Sequence, residues 1–242
     1  KQTIGDTLGI GGIFRALRTI PVMLDCAQDI ESVCPDALLL NYTNPMAMVT
    51  GALLHGTNVK CVGLCHSIQG CVRGLMLRLG MLDDVHEEVP LTLATADTGH
   101  HIEWTIAGIN HQAWLLSVTD NGKDLYPELK RRAFKLNRDA LRTGAQKHDN
   151  MVRYEIMRHF GYYVTESSVH TAEYSPYWIK SQFPELVSDF NISIDEYLRR
   201  CESGLANWHK QYEQARSGKD QPKHRSHEYG SYIIESAETD VA

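Results

Sequence analysis

The chain has 242 residues, 43% of them hydrophobic and 22% charged, with a net charge of −6. That composition excludes collagen, a disordered tail and a small disulfide scaffold, and the length buries a core without help from cross-links or a metal. The acidic balance argues against a nucleic-acid or anionic-membrane partner. No apolar run approaches the ~20 residues of a membrane span. The sequence starts at Lys1 with no charged-then-apolar leader, so it reads as an internal piece of something longer. Six cysteines, at 26, 34, 61, 65, 71 and 201, include no CxxC pair. In a chain this long they read as free thiols, which places the protein in the reducing cytoplasm.

Ile13 to Cys34 predicts helix, interrupted at Pro21, where a second helix restarts. Ala37–Asn41 is a short apolar strand buried on both faces, and Thr43-Asn44-Pro45 turns it into a helix over Met46–His55. Val59–Leu64 is a second such strand, ending in Cys65-His66-Ser67. Ser67 can cap the helix that follows to about Leu79, which Gly80 closes. Strand, helix, strand, helix is a βαβ rhythm and implies a parallel sheet. Past that point Ile102–Ile109 and Ala113–Thr119 read as an antiparallel pair, followed by a turn at Asp120-Asn121-Gly122. Helices are predicted near Pro127–Arg142, Asn150–Phe160 and Ser193–Ala215, with a polar stretch after Arg216.

Two consecutive strands thus end in reactive polar clusters. Ligands of open parallel sheets bind at the carboxyl ends of the strands, so Asn44, Cys65 and His66 are expected to share one crevice. The bland alternative is an Asx turn at Asn44 and a space-filling Cys65. Asn110-His111 lies between the two later strands. One thiolate and one imidazole make an incomplete metal shell, which suits a catalytic ion rather than a closed structural site. A rival zinc site would use Cys61, Cys65, His66 and Cys71, though the spacing fits no standard finger. Gly9-Ile10-Gly11-Gly12 lacks the third glycine of a dinucleotide fingerprint and follows no strand, which favours a simple helix entry, with an anion at the helix start as the alternative. Arg15 and Arg18 share a helix face, either to meet an anion or as a solvated surface. The stretch from Thr165 to Pro176 is dense in acid/base types and could supply a general base or serve as a hydrogen-bonded connector.

Six strings occur in order: Gly5-Asp6-Thr7-Leu8-Gly9, Gly12 to Pro21 (GIFRALRTIP), Asn41 to Met48 (NYTNPMAM), Gly63 to Ser67 (GLCHS), Gly108 to His111 (GINH) and Thr165 to Ser168 (TESS). Together they resemble glycoside hydrolase family 4, the NAD- and manganese-dependent glycosidases, and within it the bacterial α-galactosidase branch. The Cys-His-Ser string favours that branch over the phospho-glucosidase branches. The resemblance implies an α/β fold, a partial Rossmann-like parallel sheet lacking its N-terminal half, followed by an α+β catalytic domain. Residues 1–81 are then the C-terminal part of the NAD-binding domain, and 82–242 are the substrate and metal domain, incomplete at its C-terminus.

The implied chemistry departs from the two-carboxylate scheme of most glycosidases. The sugar is oxidised at C3, its C2 proton is removed, the C1 substituent is eliminated, and water adds before C3 is reduced again. NAD and Mn²⁺ are the implied cofactors and a terminal α-galactoside the implied substrate. A homo-oligomer is implied, with no nucleic-acid or membrane partner. Carried over residue by residue, Cys65 and His111 are the metal ligands, and Asn44 touches sugar and nicotinamide with Asn41 beside it on the cofactor side. His66 binds substrate and protonates the leaving group, and Tyr174 and His170 are the choices for the base. Other family activities, including α-glucuronidase, and a lactate- or malate-type NAD dehydrogenase are the rival readings. This piece by itself could also be inactive. The stretch Leu82–His101 is longer than expected between the two metal ligands and could displace His111. Shared ligation requires the Cys65 sulfur and the His111 ring within about 5 Å, given direct bonds of ~2.0–2.3 Å to one ion.

Overall fold

The structure, a computed structural model, describes residues 3, 5, 7–65, 67–68, 70–82, 100–109, 111–144 and 146–217. The first part runs α1 (Gly9–Val33), β1 (Leu38–Asn41), α2 (Met46–Gly56), β2 (Lys60–Gly63) and α3 (Cys71–Arg78). The two strands are parallel neighbours, in register from Leu38 opposite Lys60 to Asn41 opposite Gly63. Alternation sends Leu39 and Cys61 to the same side, where they meet Ala27 of α1, Val49 and Leu53 of α2 and Val59. Burial on both faces is therefore corrected: α1 and α2 cover one side only, and Leu38 is 59% exposed on the other. Gly63 is required where β2 ends, because a Cβ there would stand 2.2 Å from Met46 Sδ and 2.6 Å from Thr50 Oγ1.

Two further expectations are corrected. Pro21 lies inside α1 and does not break it. Its ring sits on the exposed side of the helix, where water can bond the carbonyl it leaves unpaired. Ile20, Met23, Leu24 and Ile30 pack on one cluster from both sides of the proline, so one continuous helix buries them together. Likewise α3 starts after Gly70, not at Ser67. The Ser67 hydroxyl turns toward Cys65 Sγ, 3.9 Å away, and not to the helix amides.

The second part is an antiparallel sheet built on one central strand. β4 (Gln112–Asp120) pairs with β3 (Ile102–Ile109), with β5 (Lys123–Asp124) and with β6 (Tyr163–Val164). Asn121 (φ 49°) and Gly122 (φ 77°) make the tight turn between β4 and β5. α4 (Tyr126–Thr143) and α5 (Met151–Phe160) each stop at a glycine in the left-handed conformation, Gly144 and Gly161. Leu115 and Val118 of β4, Leu129 of α4, Tyr154 and Met157 of α5 and Tyr163 form the main core. Val72, Leu75 and Met76 of α3 enter the same core and tie the first part to the second. α6 (Ser168–Tyr174), α7 (Glu185–Asp189) and α8 (Glu196–Ser217) complete the chain as described. No helix among the described residues is long and apolar enough to cross a membrane.

Arg153 of α5 holds the chain where β6 leaves the sheet. Its guanidinium donates to Val164 O (3.0 and 3.1 Å), to Thr165 O (2.8 Å) and to Asn150 Oδ1 (3.1 Å). It also lies 4.1 Å from the centre of the Tyr163 ring. The Cys71 thiol, 4.0 Å from Arg153 Nη2, is pushed up to about 11 by burial, with the guanidinium opposing.

A strap preceding α1 crosses back onto α6. Thr3, 1% exposed, donates to Val169 O at 2.9 Å and lies 3.2 Å from Glu173 Oε2. Gly5 N donates to the same carboxylate oxygen at 3.3 Å. Glu196 N, at the start of α8, donates to Thr3 O at 2.8 Å. The strap lies so close over the first turn of α1 that a Cβ on Gly11 would stand 2.0 Å from Gly5 O, and one on Gly12 would stand 2.7 Å from the Thr7 carbonyl carbon. Burial raises the Glu173 pKa, but the His170 ring, Gly5 N–H and Thr3 hydroxyl together outweigh it and hold the carboxyl below its ordinary value.

Two outcomes follow from these contacts. Arg153→Met leaves two buried carbonyls without their donor and should lower unfolding stability by about 3 kcal/mol or more in urea titrations. Glu173 has a folded-state pKa below its unfolded one. Its contribution is therefore present at neutral pH and is lost as the pH falls below the ordinary glutamate range near ~4.3. Glu173→Gln should flatten the acid limb of a stability–pH profile and leave the profile's shape above pH ~6 unchanged.

Candidate active site

β1 and β2 end side by side, so the segments that follow leave the sheet at one edge. Leu64 N donates to Asn41 O at 2.9 Å and carries the pairing one step further. Asn41, 1% exposed, has both ends of its amide committed. Nδ2 donates to Thr50 Oγ1 at 2.9 Å, and Oδ1 accepts from Thr43 N at 3.0 Å. What the Asn41 side chain supplies is thus the shape of the β1–α2 turn. That turn sets Asn44, half-buried, just before Pro45 and the start of α2. Cys65, also half-buried, follows β2 at the same edge.

His111 arrives from the β3–β4 hairpin, in a left-handed conformation (φ 60°) that turns the chain between the two strands. Glu166 arrives from the end of β6, fixed by Thr165 N donating to Ala113 O at 3.0 Å. Its Oε1 accepts from Ser167 N at 2.7 Å and its Oε2 lies 3.5 Å from His111 Nε2. One ligand atom from each of Cys65, His111 and Glu166 lies within 4.8 Å of the other two. The side chains of His111 and Glu166 are each only 9% exposed. The ~5 Å condition on the thiol and imidazole is therefore met. Among the described residues no other set of Cys, His, Asp and Glu side chains gathers in this way. In particular, Cys61 packs in the α1–α2 cluster and Cys71 is buried in the main core, so the four-residue zinc arrangement does not form.

α6 supplies the other wall. Ser167 caps it by accepting from His170 N at 3.4 Å. Tyr174 OH lies 2.6 Å from His111 Nδ1 and 2.6 Å from Thr7 Oγ1. The His170 ring stacks on His111 at 4.8 Å and on Tyr174 at 5.4 Å. With Nδ1 facing Tyr174, the imidazole presents Nε2 to the carboxylate. A hydrogen-bonded distal nitrogen is the usual way a histidine ligand is oriented.

A thiol, an imidazole and a carboxylate, convergent and with the imidazole and carboxylate nearly shielded from water, fit a first-row transition-metal ion and leave coordination positions for other oxygens. Gly11 and Gly12 lie close under the strap, and the Gly9–Gly12 turn serves as the entry to α1. Arg15 lies 5.7 Å from the Tyr197 ring of α8.

The structure thus brings together Cys65, His111, Tyr174 and His170, and sets Asn44 at the same sheet edge as Cys65. His66 and Asn110 lie outside the described residues, as do residues 83–99 of the long intervening stretch. Glu166, Glu173 and Thr7 were not singled out by sequence. For Glu166 a signal existed: a lone carboxylate between a strand end and a serine that caps the next helix.

The family model described as "Family 4 glycosyl hydrolase" matches residues 1–81, and that of its C-terminal domain matches residues 106–242. An α-galactosidase of Bacillus subtilis is 53% identical over 99% of this chain and 50% of its own length. One of Rhizobium meliloti is 31% identical over 98% of this chain and 46% of its own. The crystal structure of the B. subtilis protein LplD superposes with a TM-score of 0.71 at 22% identity, over 96% of this chain and 52% of that one. A 6-phospho-α-glucosidase from gut microorganisms, in complex with NAD and glucose-6-phosphate, gives 0.54 at 19% identity over 96% and 49%. The chain spans about half the length of the curated relatives it matches. With one family model covering the first part and another more than half of the chain, this α/β protein, with its short parallel sheet and separate antiparallel sheet, belongs to the family 4 glycosyl hydrolases.

Proposed function

We propose that the intact protein is an α-galactosidase that uses NAD and Mn²⁺, with residues 1–81 on the cofactor side and 82–242 carrying the rest of the metal and substrate site. The observation that carries this reading is the convergence of Cys65, His111 and Glu166 beside Tyr174. The choice of α-galactoside is supported by the two α-galactosidases among its relatives, and by the Cys65-His66-Ser67 string.

Cys65, His111 and Glu166 would hold the ion, and Asn44 would face the sugar and the nicotinamide from the rim of the parallel sheet. When bound, the two cofactors supply reversible oxidation at sugar C3 and Lewis-acid polarisation of the neighbouring oxygens. The chain's own residues then handle protons and position. Tyr174, as the phenolate, would take the C2 proton on its oxygen, which is held by the hydrogen bond to His111 Nδ1. His170 packs against both rings and limits their rotation. His66, next to Cys65 in the chain, gives its proton to the departing glycosidic oxygen. The low exposure of His111 and Glu166 keeps bulk water from the elimination step. All six cysteines are unpaired, which supports a reducing, cytoplasmic setting.

The test is nitrophenol release from a nitrophenyl α-galactoside by the intact protein, with NAD and Mn²⁺ supplied or withheld, beside α-galacturonides and phosphorylated glucosides. Turnover on the α-galactoside should require both cofactors and leave no net NADH. Activity that persists without either, or accumulation of NADH, rejects the reading. Cys65→Ala should abolish metal-dependent turnover, and Glu166→Gln should weaken Mn²⁺ binding about tenfold or more by electron paramagnetic resonance.

A further inference from the structure

Two contacts of the strap fall on consecutive residues of α6. Glu173 is gripped by Thr3 and Gly5, and Tyr174 meets Thr7. The Tyr174 oxygen therefore sits between two groups, Thr7 Oγ1 and His111 Nδ1, each 2.6 Å away. A phenol has one proton to give and lone pairs to receive, so both contacts can be hydrogen bonds at once. Two such contacts fix where that oxygen stands more closely than one would.

The strap is itself anchored to the other half of the molecule. Its close seat over Gly11 and Gly12 fastens it to α1. Ala27 and Met23 of α1 pack in the cluster that includes Leu39 of β1 and Cys61 of β2. A continuous packed path thus runs from the sheet whose edge carries Asn44 and Cys65 to the helix that carries Tyr174. Thr7 has no part in the proton transfers assigned above, and no charge. Its hydroxyl nevertheless lies 2.6 Å from the Tyr174 oxygen.

We propose that the strap is a positioning element of the active site and that Thr7 is its point of contact. Its hydroxyl helps to fix the Tyr174 oxygen, the group assigned the C2 proton, beside the His111 imidazole. The proposal rests on the α-galactosidase reading. Displacement of a reacting group by about 1 Å can cost ~10²-fold in rate, so loss of the Thr7 restraint should be visible in kcat before it is visible in binding.

The experiment compares the intact wild-type protein with Thr7→Val, Thr7→Ser and Gly11→Ala. Each is assayed for turnover of nitrophenyl α-galactoside with NAD and Mn²⁺, for the isotope effect of deuterium at C2, and for Mn²⁺ affinity. A parallel set carries 3-fluorotyrosine at position 174, read by ¹⁹F NMR. Thr7→Val should lower kcat about tenfold or more, keep KM within about twofold and raise the isotope effect. Its Mn²⁺ affinity should stay within about twofold of wild type, since Cys65, His111 and Glu166 are untouched. Thr7→Ser should restore kcat and the fluorine signal. Wild-type kcat in Thr7→Val, a serine variant that behaves like valine, or Mn²⁺ affinity falling in step with kcat would each overturn the proposal. If Thr7→Val does not fold, Gly11→Ala decides, because a Cβ there must lift the strap. A folded Gly11→Ala protein with lowered kcat and a shifted fluorine signal supports the proposal, and one with wild-type kcat and signal overturns it. A wild-type protein inactive on the α-galactoside rejects the functional reading instead, and the fluorine comparison still decides whether Thr7 holds Tyr174.

Discussion

The bond on which the site most depends is made by a residue that is not in it. Arg153 reaches from α5 to the carbonyls of Val164 and Thr165, the two residues before Glu166. Those carbonyls belong to buried residues. Without a donor they would each carry a desolvation cost of ~1–3 kcal/mol. The guanidinium satisfies them with one planar group that also lies on Tyr163 and reaches Asn150. Because Thr165 N is meanwhile bonded to Ala113, the chain entering Glu166 is fixed on two sides.

The site is an example of preorganisation across distant segments. The thiol, the imidazole, the carboxylate and the phenol come from a strand end, a hairpin, a strand-to-helix loop and a helix. Bringing four such segments together carries an entropic cost that no single hydrogen bond among them could offset. It is met by the shared core, in which α3, β4, α4 and α5 bury their apolar faces together. The polar groups are then close because the framework is packed, and their mutual contacts refine orientation rather than hold the fold.

How far this arrangement could be read from sequence depends on the range of the forces involved. The parallel pair, the hairpin and most helices were legible because apolar periodicity and turn residues act within a few positions. Cys65 and Asn44 were legible by placement, at the ends of two successive apolar strands. His111 and Tyr174 needed the family resemblance, since nothing local distinguishes one of twelve histidines. Pro21 misled because its local effect is overridden by burial on both sides of it. Ser67 misled because it finds a sulfur instead of an amide. Thr7 meets Tyr174 across a sequence separation of 167, and such a contact leaves no trace in either neighbourhood.

The segment between Cys65 and His111 is anchored on both sides of residues 83–99. Arg132 bonds the carbonyls of Leu79 and Gly80 at 2.8 and 2.6 Å on its upstream side. Downstream, Asp120 meets His100 and His101, and Asn121 N donates to His101 O at 2.9 Å. Beyond that clamp, β3 pairs with β4 along its whole length before the chain reaches the imidazole. The position of His111 is therefore inherited from the Asp120 clamp and the β3–β4 pairing, which act as a jig for the imidazole.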